Sequence, residues 1–133
     1  GPRAIIGCSA HTAEEMRGAE EGGADFVTFG PVYATPSKAP YGPAAGIPAL
    51  TEACRTASIP VFALGGIRAG NVGEVARAGS FGVALISGIV GAPDPRVAAA
   101  GMLERFARFR AATKRGSSMS PPGTRCRSRI SRT

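Results

Sequence analysis

The chain has 133 residues, 44% of them hydrophobic, and is rich in Gly and Ala, a composition typical of a single soluble α/β domain. Its formal net charge of +7 lies at one end: residues 111–133 contain six Lys or Arg and no Asp or Glu, whereas residues 1–110 contain ten against nine. A nearly neutral body argues against a nucleic-acid-binding surface, and no apolar run is long enough to cross a membrane. We therefore expect a cytoplasmic protein.

The three cysteines, Cys8, Cys54 and Cys126, are odd in number and lack the paired spacing of metal sites. We interpret them as thiols in a reducing compartment. The chain opens at Gly1 without an initiator Met and enters an apolar run almost at once, so we expect a piece of a longer protein.

The first unit is predicted to be a strand over residues 4–8 followed by a helix over residues 13–21. Thr12 and Glu15 have the spacing of a capping box, which opens a helix. The next strand is predicted over residues 24–29, where apolar side chains follow one another.

Residues 30–46 form a connection far longer than the roughly two to six residues usual between a strand and a helix. Within it, Thr35, Ser37 and Lys38 bring two hydroxyls and an ammonium group close together, a combination typical of anion binding. The alternative is an ordinary solvated loop. The remaining elements are predicted in this order: a helix from Pro48, a strand over residues 60–64, a helix opened by Asn71 and closed by Gly79, a strand over residues 82–86, and a helix opened by Asp94.

Four strand-loop-helix units in succession predict a parallel sheet, because parallel strands need crossover helices. The strands are continuous apolar runs rather than alternating ones, which is typical of sheets covered on both faces. We interpret the α/β pattern as a (β/α) barrel rather than a doubly wound sheet, with four of the usual eight units present.

In such barrels, ligands bind where the strands end. The residues that follow the four predicted strands are Ser9 with His11; Thr35, Ser37 and Lys38; Gly65 with Gly66; and Ile86, Ser87 and Gly88. Glycines let backbone N–H groups approach an anion, and a hydroxyl with neighbouring amides completes a phosphate site. The sequence therefore predicts phosphate binding at this end of the sheet.

Four segments resemble the thiamine phosphate synthases and the closely similar thiazole tautomerases of the TenI type. They are Gly7-Cys8-Ser9-Ala10-His11-Thr12, Gly30-Pro31-Val32-Tyr33-Ala34-Thr35-Pro36-Ser37-Lys38, Ala63-Leu64-Gly65-Gly66-Ile67 and Ile86-Ser87-Gly88-Ile89. They occur in family order and spacing. The resemblance implies a TIM (β/α)8 barrel whose fifth to eighth strands lie in residues 1–110.

The resemblance also implies a reaction, the joining of a pyrimidine diphosphate to a thiazole phosphate with loss of diphosphate. Gly66, Ile86 and Ser87 would bind the thiazole phosphate, with Thr35 and Ser37 along its approach. Ser9 and Lys38 match positions that bind the diphosphate of the pyrimidine. Mg²⁺ is the implied cofactor.

Two features depart from the family. Thr is more usual at the position of Ser37, although Ser keeps the hydroxyl. The first four strands, which carry the acidic Mg²⁺ ligands of the family, are absent, so we expect no metal ligands in this chain. We expect instead a homo-oligomer or a complementing half barrel.

His11 has two interpretations. A histidine beside a helix cap is usually structural, but the tautomerases are thought to use a histidine for proton transfer. Two alternatives to a synthase therefore stay open, a thiazole tautomerase with His11 as its catalytic group and a non-catalytic truncated remnant.

Residues 111–133 are biased towards Ser, Pro, Gly and Arg, a composition that does not bury a core. We predict a disordered basic tail. Nucleic-acid binding by this tail is a weaker alternative, because it lacks interleaved aromatic residues.

Overall fold

The computed structural model of the protein describes residues 4–36 and 39–116, apart from the side chains of Tyr41 and residues 114–116. Ser37 and Lys38 of the predicted site lie outside the described residues, as do residues 117–133 of the predicted tail. In chain order the elements are β1 (Gly7–Ala10), α1 (Ala13–Glu21), β2 (Phe26–Phe29), a 3₁₀ turn (Ala39–Tyr41), α2 (Gly46–Thr56), β3 (Val61–Leu64), α3 (Val72–Arg77), β4 (Gly82–Ala84), α4 (Ser87–Val90) and α5 (Pro95–Gly116).

The strands form one parallel sheet in the order β1-β2-β3-β4. Gly7 pairs with Phe26, Thr28 with Phe62, and Phe62 with Gly82. The predicted succession of four parallel strands with crossover helices is therefore confirmed. Because all four strands point the same way, the segments that follow them meet at one edge of the sheet.

The core lies between one face of the sheet and the helices. Alternate residues of β2 and β3 are buried, as the two-residue period of a strand requires. The buried side chains include Ala10, Val27, Phe29, Val61 and Ala63 from the sheet, and Met16, Leu50, Ala53, Val72, Val75, Met102 and Phe106 from the helices. On α2, α3 and α5 these positions lie three or four residues apart, so each helix turns one face to the core.

The opposite face of the sheet carries a row of three aromatic rings. Phe62 packs edge to face against Phe26 and Phe81, with ring centroids 5.6 and 5.4 Å apart. Glycines make the room: a Cβ atom at Gly82 would lie 2.8 Å from the Phe62 ring, and one at Gly7 would overlap the Phe26 ring. Large side chains on the two central strands therefore lean over glycines on the outer strands.

Strand β1 lies later in the chain than predicted. It covers residues 7–10 instead of 4–8, and Ile5 and Ile6 are 78% and 53% exposed. The amide of Ile6 donates to the Asp25 carboxylate at 2.7 Å, and the Asp25 amide donates to the Ile6 carbonyl at 2.7 Å. These two hydrogen bonds close the amino end of the pair, so the sheet ladder begins at Gly7.

The end of the chain also differs from the prediction. Strand β4 stops at Ala84 rather than at the predicted residue 86. Residues 87–90, between this strand and the helix opened by Asp94, form a short helix that was not predicted. Helix α5 continues to Gly116, six residues beyond the predicted boundary at residue 110. Alanines at 111 and 112 are strong helix formers, and the Thr113 hydroxyl donates to the Phe109 carbonyl at 3.0 Å.

Two of the predicted helix caps, Thr12 and Asp94, are present, and the third, Asn71, is not. The Thr12 hydroxyl accepts from the Glu15 amide at 3.1 Å, and the Asp94 carboxylate accepts from the amides of Arg96 and Val97 at 3.0 and 3.2 Å. Both caps are confirmed. Asn71 occupies the position before α3, but its side chain makes no capping hydrogen bond.

Helix α2 begins at Gly46, two residues before the predicted Pro48.

Cys8 and Cys54 are free thiols, and burial raises the pKa of Cys54 to about 11. Within residues 4–36 and 39–116, no helix is both long and apolar enough to cross a membrane.

Candidate active site

Gly65 and Gly66 make a tight turn directly after β3. Their φ angles are +101° and +66°, in the left-handed region that residues with a Cβ atom rarely adopt. The loop after β2 runs beside this turn, because the amides of Val32 and Tyr33 donate to the carbonyls of Leu64 and Gly65 at 2.9 and 3.1 Å. These two backbone hydrogen bonds hold the start of the β2 loop against the end of β3 and the glycine turn.

Thr35 lies against Gly66. A Cβ atom on Gly66 would lie 2.7 Å from the Tyr33 Cβ and 3.3 Å from the Thr35 Cγ2. The absence of a side chain at Gly66 therefore lets the two loops touch, and it brings the predicted site residues Thr35 and Gly66 together.

Asn71 holds the loop that contains Gly66. Its Oδ1 accepts from the Arg68 amide at 2.7 Å, and its Nδ2 donates to the Gly66 carbonyl at 3.0 Å. The side chain that was predicted to cap α3 instead fixes the turn before it. With its carbonyl held in this way, Gly66 has a defined backbone orientation.

Ile86 and Ser87 lie at the start of α4, on the next strand end. Both are exposed, Ile86 by 74%. A Cβ atom on Gly88 would lie 3.6 Å from the Ile67 carbonyl, so the start of α4 lies beside the Gly66 loop. The first amides of a helix have no partner within it, which leaves those of this turn available to a ligand.

Ser9 lies within β1 rather than after it. Its hydroxyl is 3.1 Å from the hydroxyl of Thr28, the residue paired with it on β2. Both side chains lie on the face of the sheet that carries the aromatic row, nearer than Phe26 to the carboxyl ends of the strands. Ser9 is therefore a residue of the inner face, next to a second hydroxyl that we had not predicted.

His11 contacts Glu15. The Glu15 carboxylate accepts from the His11 amide at 2.6 Å and lies 3.1 Å from Nδ1 of a ring that is 65% exposed. The hydrogen bond from the His11 amide, followed by the one from its ring, holds the pKa of Glu15 below its usual value. Because a carboxylate only accepts, Nδ1 carries the proton in this pair, and Nε2 makes no hydrogen bond to the described residues.

Tyr33 contacts α3. Its hydroxyl donates to the Glu74 carboxylate at 2.6 Å, across 41 positions of sequence. Partial burial of the ring, together with this hydrogen bond and the negative charge of Glu74, raises the pKa of Tyr33 to about 12. Tyr33 thus anchors the loop after β2 to α3. The side chain of Tyr41 lies outside the described residues.

Tyr33 is therefore expected to ionise near pH 12 in the folded protein instead of near its usual value of about 10. Because the folded state favours the neutral phenol, the resulting stabilisation is complete below about pH 10 and is lost as the pH rises through about 12. The measurement is the tyrosinate absorbance lost on Tyr33→Phe, followed against pH. Glu74→Gln should shift this titration to lower pH; ionisation of Tyr33 at the usual pH would contradict the assigned contact.

The amino-acid sequence that carries this geometry matches a known family. The family model described as thiamine monophosphate synthase matches residues 1–89, a segment that includes all four strand ends. The chain belongs to the thiamine monophosphate synthase family. The predicted resemblance is therefore confirmed.

Curated relatives in this family support the assignment. The thiamine-phosphate synthase of Roseiflexus sp. strain RS-1 is 45% identical over 98 residues, which are 74% of this chain and 42% of that protein. The thiamine-phosphate synthase of Methanocella arvoryzae is 47% identical over 106 residues, 80% of this chain and 50% of that protein. The chain thus spans about half the length of the thiamine monophosphate synthase family members that it matches.

A solved structure agrees with the sequence relatives. The thiamine phosphate pyrophosphorylase from Pyrococcus furiosus superposes with a TM-score of 0.75 at 34% identity, over 82% of this chain and 52% of that chain. The four βα units therefore match one part of a larger α/β protein of the TIM barrel type, as predicted.

Magnesium does not fit the described part of this family member. Among residues 4–36 and 39–116, no three His, Cys, Asp or Glu side chains cluster closely enough to hold a metal ion. Asp25 lies at the amino end of β2, away from the loops after the strands, and Asp94 caps α5.

Three contributions to the site were missed or misread in the sequence. Nothing in the sequence distinguishes Thr28 from other strand residues, and Asn71 has the pattern of a helix cap. Glu74 has only the spacing of a residue in the first turn of that helix. Alternation along β2 would have placed Thr28 on the same face as Phe26, but the contacts of Asn71 and Glu74 with the loops carry no local signal.

Proposed function

We propose that this chain supplies the carboxyl-terminal half of a thiamine phosphate synthase, which joins hydroxymethylpyrimidine diphosphate to thiazole phosphate and releases diphosphate. The observation that carries the proposal is the close packing of Thr35 against the Gly66 turn, beside the start of α4. Membership of the family supports the same activity, as does the similarity to the two thiamine-phosphate synthases described above.

The thiazole phosphate is assigned to the Gly66 turn. A glycine at φ +66° places its N–H close to a ligand without a side chain in the way, and the first amides of α4 approach from the neighbouring strand end. Thr35 and Ser37 supply hydroxyl donors along the approach, and Ile86 and Ser87 close the other side. Hydroxyl and amide donors of this kind suit phosphate oxygens.

The diphosphate of the pyrimidine is assigned to Ser9 and Lys38. The reaction breaks the bond between the methylene carbon and the diphosphate oxygen, and the electron pair leaves with diphosphate. The thiazole nitrogen then donates its lone pair to the methylene carbon. Such a step depends on neutralising charge at the leaving group, which Lys38 would do as a cation and Ser9 as a hydrogen-bond donor.

Other properties follow from this assignment. The partners are two phosphorylated small molecules, and Mg²⁺, where it takes part, would be held by residues outside this chain. We also infer a cytoplasmic location, since biosynthesis from phosphorylated precursors takes place there. The expected homo-oligomer or complementing half barrel stays a prediction, and nucleic-acid binding by the tail stays the weaker alternative.

Thiazole tautomerase is the second candidate function. Its support is the arrangement of His11, whose Nδ1 lies 3.1 Å from the Glu15 carboxylate on a largely exposed ring. A group held in this way can accept and return a proton. In this alternative, His11 rather than Lys38 would be the catalytic residue.

The phosphate assignment is tested in a completed barrel, meaning this chain fused behind the amino-terminal half of the Roseiflexus relative. Gly66→Ala is expected to weaken thiazole phosphate binding about tenfold. A Cβ atom costs about 1–2 kcal/mol in the left-handed region and would lie 2.7 Å from the Tyr33 Cβ, so the free variant relaxes to another turn conformation and must regain the strained one to bind. Isothermal titration calorimetry measures the affinity.

Gly70→Ala is the matched control, because a Cβ atom there meets no atom within 4 Å. It should leave the affinity unchanged. Equal affinity of the unsubstituted barrel for thiazole phosphate and for the dephosphorylated thiazole would refute the phosphate assignment.

A further inference from the structure

The first turn of α3 contacts both loops of the proposed phosphate site. Asn71, just before the helix, donates to the Gly66 carbonyl at 3.0 Å. Glu74, three residues later, accepts from the Tyr33 hydroxyl at 2.6 Å, and its own amide donates to the Asn71 carbonyl at 3.1 Å. A single helical turn therefore holds the loop after β3 by one side chain and the loop after β2 by another.

Tyr33 is placed to transmit this contact to the site. Its Cβ lies against Gly66, its amide donates to the Gly65 carbonyl at 3.1 Å, and Thr35 follows two residues later. Its ring packs against the core while its hydroxyl reaches Glu74. Three points of contact thus fix Tyr33 relative to the glycine turn.

We propose that the Tyr33–Glu74 hydrogen bond is a positioning contact for the phosphate of the thiazole substrate. It holds the segment that carries Thr35 at a fixed distance from the Gly66 backbone, so that hydroxyl and amide donors face the same phosphate group. Tyr33 and Glu74 touch no reacting atom in this role. The inference rests on the proposed function, because the ligand is the thiazole phosphate of that reaction.

A purely structural role is the competing explanation, and the Arg55–Glu52 pair shows what it would look like. Those side chains lie three positions apart on α2, are 69% and 53% exposed, and bond at 2.7 Å. That pair joins two residues of the same helix and touches neither loop. The Tyr33–Glu74 contact instead joins the β2 loop to α3 across 41 positions of sequence.

The test compares substrate affinity with turnover in the completed barrel. Tyr33→Phe and Glu74→Ala should each raise the KM for thiazole phosphate about five- to tenfold, the loss expected for one hydrogen bond, with kcat largely unchanged. The double variant should be no worse than either single one. Glu74→Gln should restore most of the affinity, because its amide oxygen still accepts from the tyrosine hydroxyl.

Two controls separate the positioning role from general destabilisation. Arg55→Ala removes the comparison pair and should leave KM unchanged. In ligand-free protein, Tyr33→Phe should also speed hydrogen exchange at the amides of Ala45 and Gly46, which donate to the carbonyls of Pro31 and Val32 on the same loop at 2.8 and 3.0 Å.

The outcomes distinguish this inference from the function on which it rests. Unchanged KM and unchanged exchange in Tyr33→Phe would overturn the positioning role while leaving the synthase assignment intact. If Arg55→Ala raised KM as much as Tyr33→Phe, that result would overturn the positioning role as well. Failure of the unsubstituted completed barrel to bind thiazole phosphate would instead refute the proposed function, and the positioning role with it.

Discussion

Lys38→Ala in the completed barrel is expected to lower synthase turnover about a hundred- to a thousandfold, the usual loss when one group that stabilises developing charge is removed. Diphosphate leaves with two electrons from the broken bond, and Lys38 is the cation that the resemblance assigns to it. The affinity for thiazole phosphate should change little, because that ligand is assigned to the Gly66 turn. Steady-state kinetics with both substrates measures the two effects.

His11→Asn is the discriminating partner of Lys38→Ala. In a synthase it should leave turnover near normal, since the step needs no proton transfer from the ring. In a tautomerase it should abolish activity while Lys38→Ala is tolerated. Normal synthase turnover in Lys38→Ala would remove Lys38 from the mechanism. Absence of both activities from the unsubstituted completed barrel would favour a non-catalytic remnant.

The second large effect concerns the chain by itself. Residues 1–133 alone are expected to self-associate or to melt without a cooperative transition, and to show no synthase turnover. Within the described residues, β1 and β4 each have only one neighbour in the sheet, so both outer edges are open. Open, apolar strand edges pair readily with other chains.

Exposed apolar side chains strengthen this expectation. Ile5, Phe81 and Leu103 are 78%, 46% and 71% exposed, and an apolar groove of about 760 Å³ lies between β4 and α5. Burying one large apolar side chain contributes about 1.5–3 kcal/mol, whereas a whole domain is stable by only about 5–15 kcal/mol. Three such side chains left in water therefore remove a large share of the stability.

Sedimentation velocity and scanning calorimetry test the isolated chain, with the completed barrel as the reference. The barrel should sediment as a defined species and melt cooperatively. Addition of the separate amino-terminal half to the isolated chain should restore part of this behaviour. A monomeric isolated chain that melts in one sharp transition would show that the open edges are tolerated, and turnover by that chain would contradict the need for a second half.

The sequence predicted the helix starts well where a side chain bonds to its own helix. Thr12 and Asp94 are examples, because their hydrogen bonds span two or three residues and therefore leave a spacing pattern. The buried stripes were equally predictable, since they repeat with the helical period. The strand bounds were less so, because an apolar run such as residues 4–8 does not show where the partner strand begins.

The contacts that assemble the site had no such local pattern. Tyr33 and Glu74 are 41 residues apart, and only the parallel pairing of β2 and β3 brings them together. Asn71 has the same local signature whether it caps α3 or bonds to Gly66, and the structure shows the second. The family pattern pointed to Gly66 and Thr35, but their contact depends on the fold of two loops.

The rings of Phe26 and Phe62 on the face of the sheet opposite the helices bear on how ligands reach the site. Phe26 begins β2, and Phe62 pairs in register with Thr28, so both rings lie on the amino-terminal side of the Gly66 turn. In a closed barrel this face would turn inward, and the two rings would fill the interior beneath the turn. A ligand bound at the Gly66 turn would then have one direction of approach, from the carboxyl ends of the strands.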